Sequence, residues 1–189
     1  ADKYIKNNSI NNVLVVGAEK MSSLVDWSDR NTCVLFGDGA GAVILSLSNN
    51  PGIISNTIGS NGSYKDLLTV NPDSDFIEMK GNDVFKIAVN TMGKIARETL
   101  DANDLKIDDV DWLIPHQANS RIINAIAKKL SLPSEKIILT VGNHGNTSAA
   151  SIPLAIDCAT QTGDLKKEDT ILLEAFGAGF TWGSTLLKF

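Results

Sequence analysis

At 189 residues, with 43% apolar and 21% charged side chains, the chain has an ordinary globular composition and enough length for a substantial core. Its net charge of −5 and lack of any basic run argue against general attraction to nucleic acid or anionic lipid, and no apolar run approaches the roughly 20 residues of a membrane helix. Residues 1–6 carry no apolar signal core, so the sequence reads as cytoplasmic. The two cysteines, Cys33 and Cys158, show neither CxxC nor Cys/His ligand spacing; they are expected to be buried free thiols, and no metal site is expected.

Residues 2–8 read as the tail of a helix, which implies a preceding segment that was cut away or sits on another chain. Residues 12–17 (NVLVVG) read as a short buried parallel strand. Two further apolar runs, residues 32–36 and 42–47, flank Gly37-Asp38-Gly39-Ala40-Gly41 and are expected to form adjacent buried strands. The glycine spacing invites comparison with a phosphate loop, but a strand-like run follows where such a loop needs a helix. The glycines are therefore read as sites of close backbone packing. Residues 51–75 are rich in Gly, Asn, Ser and Asp and are expected to form loops around one β-like run at 52–58. From 82 to 100, Val84, Ala88, Met92, Ile95, Ala96 and Leu100 recur at three- and four-residue steps, the stripe of an amphipathic helix.

Residues 108–115 form the expected strand that delivers His116. Asn119 or Ser120 then caps a helix with Ile122, Ile123, Ile126 and Leu130 inward and Arg121, Lys128 and Lys129 outward. A second apolar run at 137–139 leads to a second polar cluster, Asn143-His144-Gly145-Asn146-Thr147-Ser148. A small-residue helix over 147–161 follows, its Pro153 tolerable only near the first turn. Residues 170–176 and 180–187 read as two strands around a glycine turn. Strands alternating with helices predict an α/β fold, a mixed sheet with helices on its faces. Neighbouring strand tips in such folds converge on one surface, so the His116 and Asn146 clusters are a candidate active site. Each residue also has a plainer reading: His116 as a core histidine bonded to backbone, Asn146 as a cap or turn former, the 177–179 turn as a simple hairpin. His144 is read as structural.

Five segments carry a resemblance: residues 29–42, 81–85, Pro115-His116-Gln117-Ala118-Asn119, 145–151 (GNTSAAS) and 174–183 (EAFGAGFTWG). In order and from end to end they resemble β-ketoacyl-acyl-carrier-protein synthase III, the initiating condensing enzyme of type II fatty acid synthesis. The resemblance implies a thiolase fold, two similar βα halves in a layered sandwich, and a homodimer of the complete enzyme. It implies transfer of an acyl group from acyl-CoA to a cysteine and decarboxylative condensation with malonyl-acyl carrier protein, with no cofactor. His116 and Asn146 match the family's catalytic His and Asn, and the Ala178 amide matches a donor to the acyl-cysteine carbonyl. Gln117 and Arg121 match the acyl-carrier-protein contact, with Lys128 and Lys129 near it. Arg30, Asn82, Phe85 and Asn119 match the CoA or pantetheine tunnel. The nucleophilic cysteine of the family has no counterpart here, since it precedes the strand matching residues 13–17. Residues 1–50 are therefore expected to be the end of the first half and 51–189 the whole second half, inactive by themselves. The other readings are a non-catalytic subunit or domain that binds acyl carrier protein and completes a site whose cysteine is on another chain, and a related condensing enzyme such as a polyketide starter synthase or a 3-hydroxy-3-methylglutaryl-CoA synthase.

Overall fold

Residues 112–115 are apolar without alternation, which suits a strand covered on both faces. The computed structural model, which describes residues 1–50 and 52–189, folds them as β6 (Trp112–Pro115) at one side of a four-stranded mixed sheet. The sheet order is β3 (Ile53–Ser60), β8 (Thr181–Lys188), β7 (Thr170–Gly177), β6, with β6 parallel to β7 and the other pairs antiparallel. Alternate side chains serve opposite faces. Leu113, Leu172 and Leu186 pack against α2 (Gly81–Asp101) and α3 (Ser120–Leu130). Ile114 and Ile171 pack against Ala155 and Ala159 of α5 (Ser151–Thr162).

The helices begin and end where local chemistry dictates. Asn119 is the N-cap of α3, its Oδ1 accepting from Ile122 N–H at 2.9 Å, and Ser131 closes the helix in the left-handed region. Pro153 lies in the first turn of α5, where its missing N–H leaves no helical bond unmade, and Gly163 ends that helix at φ +77. In α2 the apolar stripe from Val84 to Leu100 is buried as its period predicts.

Several expected strands differ. Of residues 108–115 only Trp112–Pro115 is strand, Ile107–Asp109 forming a 3-10 turn. Residues 12–17 lie within β1 (Asn12–Glu19), which pairs antiparallel, not parallel, with β2 (Gly39–Ser46) in a separate two-stranded ribbon. That ribbon packs one face on α5 and the 148–150 turn and leaves Leu14, Val16 and Ile44 exposed. Residues 32–36 are turns rather than a strand. Asp29 draws the chain round by accepting Asn31 N–H at 2.9 Å, and Thr32 and Cys33 N–H bond back to its carbonyl. Residues 137–139 contribute one parallel bridge, Leu113 to Ile137, before Thr140 leads into α4 (Val141–His144). The loop expected over 51–75 holds a 3-10 turn (Gly62–Leu67) and β4 (Leu68–Val70), which pairs with β5 (Ile77–Met79). Pro51, the expected first residue of the second unit, lies outside the described residues. Cys33 and Cys158 are free but half-buried rather than buried. Among the described residues no helix is long and apolar enough to cross a membrane.

Candidate active site

A cavity of about 980 Å³ opens at the carboxyl-terminal ends of β6 and β7. Leu24, Ile77, Met79, Val84 and Met92 supply apolar wall, and His116, Asn119, Asn146 and Ser148 supply polar groups. His116 arrives on the residue after β6, its N–H donating to Glu174 O at 2.6 Å, so the parallel pairing with β7 sets where the imidazole starts. Asn146 arrives from α4 and is gripped on both sides by the 35–37 turn. Its N–H donates to Leu35 O at 2.8 Å and its carbonyl accepts from Gly37 N–H at 3.0 Å. A Cβ on Gly37 would lie 2.3 Å from His144 O, so this grip requires glycine. The glycine-rich bend is a packing device, and a strand rather than a helix follows it.

The two side chains turn a ring nitrogen and a carboxamide toward the cavity. His116 Nδ1 is 2.7 Å from Ser151 Oγ, which leaves Nε2 as the ring nitrogen available to a ligand. Burial lowers the His116 pKa from its usual 6.5 to about 4, with a backbone hydrogen bond at Ser148 acting the other way. The ring is therefore neutral at pH 7, with one N–H. Asn146 Oδ1 accepts from Ser148 N–H at 3.0 Å, and its Nδ2 has no hydrogen-bond acceptor among the described residues.

Of the residues matched through the resemblance, His116, Asn146, Asn119 and Ala178 line this one cavity. Gln117, Arg121, Phe85, Asn82 and Arg30 are not part of its lining. Arg121 is exposed and lies over the Phe85 ring, 5.9 Å from its centroid. Lys128 is exposed, whereas Lys129 is tied to α2 through Asn90 and Arg97. Arg30 and Asn82 are exposed. Gln117 corrects its expectation: at 1% exposure, with its amide committed to four backbone groups, it has nothing to offer a carrier protein. Sequence reasoning missed Ser151, although it closes the GNTSAAS segment and is the polar residue at the start of a small-residue helix.

Glu174 lies one strand away from the site. It is 1% exposed, neither carboxyl oxygen has a partner among the described residues, and burial raises its pKa well above the usual range. An unfolded chain ionises this carboxyl at ordinary pH and the folded one resists, so stability falls as pH rises above the usual carboxylate range toward the raised value. His116 has the opposite sign: between about 4 and 6.5 the unfolded chain binds more protons, so stability rises with pH there. Glu174→Gln is expected to raise the urea midpoint at neutral and alkaline pH, the gain vanishing in acid where both side chains are neutral. A difference independent of pH would contradict this reading of Glu174.

The mixed sheet with helices on both faces makes this an α/β protein, and its likeness to solved synthase III structures shows the thiolase fold. The 3-oxoacyl-[acyl-carrier-protein (ACP)] synthase III pattern matches residues 1–62, and the pattern for the C terminal of that synthase matches residues 100–189. The chain belongs to the 3-oxoacyl-[acyl-carrier-protein] synthase III family. It is 56% identical to the β-ketoacyl-[acyl-carrier-protein] synthase III of Methylococcus capsulatus, over 100% of this chain and 62% of that one. The crystal structure of 3-oxoacyl-[acyl-carrier-protein] synthase III from Aquifex aeolicus superposes with a TM-score of 0.97 at 48% identity, covering 100% of this chain and 61% of the other. The Pseudomonas aeruginosa enzyme gives 0.95 at 38% identity, over 99% and 61%. The chain thus spans about three fifths of the length of these relatives.

Proposed function

We propose that this chain is the part of a 3-oxoacyl-[acyl-carrier-protein] synthase III that decarboxylates malonyl-acyl carrier protein, within an enzyme that condenses it with an acyl group from acyl-CoA to initiate fatty acid synthesis. The observation that supports the reading is that the imidazole of His116 and the carboxamide of Asn146, carried on separate chain segments, line one cavity, where Asn146 Nδ2 has no hydrogen-bond acceptor among the described residues. When the bond between the malonyl methylene and its carboxylate breaks, carbon dioxide leaves and the electron pair moves onto the thioester oxygen. Two fixed donors at that oxygen lower the barrier. The resulting carbanion carbon then attacks the acyl carbonyl on cysteine, and the tetrahedral intermediate expels the thiolate. The Ala178 amide, in the turn after β7, is the proposed donor from this chain to that second oxygen.

Neither Cys33 nor Cys158 lines the cavity, so the acyl-carrying cysteine is assigned to a part of the protein outside these residues. Residues 1–50 are then the end of the first thiolase-like half and 51–189 the second. The complete enzyme works as a cytoplasmic homodimer without a cofactor, and this chain alone does not condense. The pantetheine arm passes Asn119 in this reading, with Phe85, Asn82 and Arg30 as further contacts outside the cavity lining. Acyl carrier protein docks at Arg121 and Lys128, an exposed basic spot on an acidic chain.

The test is product formation by the full-length protein from acyl-CoA and malonyl-acyl carrier protein. A 3-oxoacyl-acyl carrier protein and carbon dioxide in equal amounts are expected. Acyl transfer from CoA without any carbon–carbon bond formation would overturn the assignment. Arg121→Glu is expected to raise KM for the carrier substrate about tenfold or more, with kcat nearly unchanged and the effect shrinking with added salt.

A further inference from the structure

Gln117 sits one residue beyond His116, touches no part of the cavity, and makes more side-chain hydrogen bonds than any function as a surface contact would require. Its Nε2 donates to Pro115 O at 2.8 Å and to Ile138 O at 3.1 Å. Its Oε1 accepts from Thr140 N–H at 2.8 Å and from Val141 N–H at 3.1 Å. Two carbonyls on one end and two N–H groups on the other fix the amide's orientation, because the flipped amide would face donors with donors and acceptors with acceptors. The backbone bonds it replaces are those a longer strand pair would have made: beyond the single bridge of Leu113 to Ile137, and the bond from Ile138 N–H to Leu113 O, the two segments diverge.

The segment held in this way is the entry to α4, whose four residues lead to Asn146. Oε1 serves the first N–H groups of that turn, which no side chain at the N-cap, Thr140, satisfies. On the other side, the main-chain N–H of Gln117 donates to Ser151 Oγ at 3.2 Å, and the same oxygen is 2.7 Å from His116 Nδ1. One residue therefore touches the supports of both polar groups: Ser151, which engages the imidazole, and the 138–141 segment, which leads to the carboxamide.

We infer that Gln117 is a positioning residue that buckles the tip of β6 to the α4 segment and so sets the separation of His116 Nε2 and Asn146 Nδ2. The inference rests on the decarboxylation reading above. It predicts a signature that ordinary structural damage does not produce. In Gln117→Glu one carboxyl oxygen can still accept from Thr140 and Val141, but the other faces the Pro115 and Ile138 carbonyls; it repels both when ionised and, when it carries its single proton, can donate to one of them. Burial and the two carbonyls raise the pKa of that carboxyl, so the buckle closes in acid and opens as pH rises. The titratable groups around it, His116 on the same tip, His144 at the end of α4 and Glu174 on the adjoining strand, are all present in the wild type, whose profile is the control.

The experiment follows both half-reactions of the full-length protein against pH, for wild type, Gln117→Glu, His116→Ala and Asn146→Ala. Malonyl decarboxylation by Gln117→Glu is expected to recover in part toward wild type in acid and to fall on the order of 100-fold below it on the alkaline side, the scale of a displacement of about 1 Å, while acyl transfer from CoA to cysteine holds. A profile parallel to wild type would overturn the inference, as would loss of both half-reactions together, which marks a fold contact and nothing more. Near-normal decarboxylation by His116→Ala and Asn146→Ala would remove the reading beneath it, and that result is separable because it concerns the donors themselves.

Discussion

Replacing His116 by alanine in the full-length protein is expected to slow malonyl decarboxylation by about 100- to 1,000-fold, the cost of one oxyanion donor, about 2.7 to 4 kcal/mol. Asn146→Ala is expected to cost a similar factor. The double variant should fall short of the product of the two, because the donors serve one oxygen. Acyl transfer from CoA to cysteine is expected to persist in all three variants. The pH profile carries a second signature. Burial holds the ring's pKa at about 4, so decarboxylation should show no inflection where a free imidazole titrates. A general-base histidine with an ordinary pKa would instead give an acid limb near that value. Half-reactions are measured by release of labelled carbon dioxide and by mass of the acylated protein.

Phe180→Ala is expected to destabilise the fold by about 3 to 5 kcal/mol, read as a fall in the urea midpoint at unchanged slope. Phe180 is fully buried, with its ring 4.7 Å from that of Phe176 and 5.6 Å from that of Tyr64. Its backbone is also tied to Asn61, donating at 2.9 Å and accepting at 2.8 Å. Truncation therefore removes the apolar anchor of the 177–179 turn, and with it the support of the Ala178 amide. Phe180→Leu, which keeps most of the volume, is expected to lose less than half as much. Equal losses in the two variants would mean that packing volume is not what this position supplies.

The parts of the fold that were legible are those where the burial pattern and the chain's local chemistry agree. A four-residue apolar run, a polar stop and an amphipathic stripe identified β6, His116 and α3, and Asn119 announced the cap. The errors lie where the pattern is degenerate. NVLVVG reads as a parallel strand, and its partner in the chain is the antiparallel β2, a pairing that the run of β-branched residues does not distinguish. TCVLF is apolar enough for a strand, but Asp29 just before it turns the chain, and its sole ladder contact among the described residues is the bridge of Phe36 to Asn146. The site was legible as residue types and not as architecture. Nothing in the order of the letters distinguishes Gln117, whose amide is spent on four backbone groups, from Asn119, which faces the cavity. Ser151 was invisible for the same reason, since its hydrogen bond to His116 spans 35 residues.

The most direct test is a crystal structure of the full-length protein with a non-decarboxylating malonyl thioester analogue. The account predicts the thioester oxygen within about 2.7 to 3.1 Å of both His116 Nε2 and Asn146 Nδ2. A thioester held in the same cavity with its oxygen turned away from either nitrogen would contradict it.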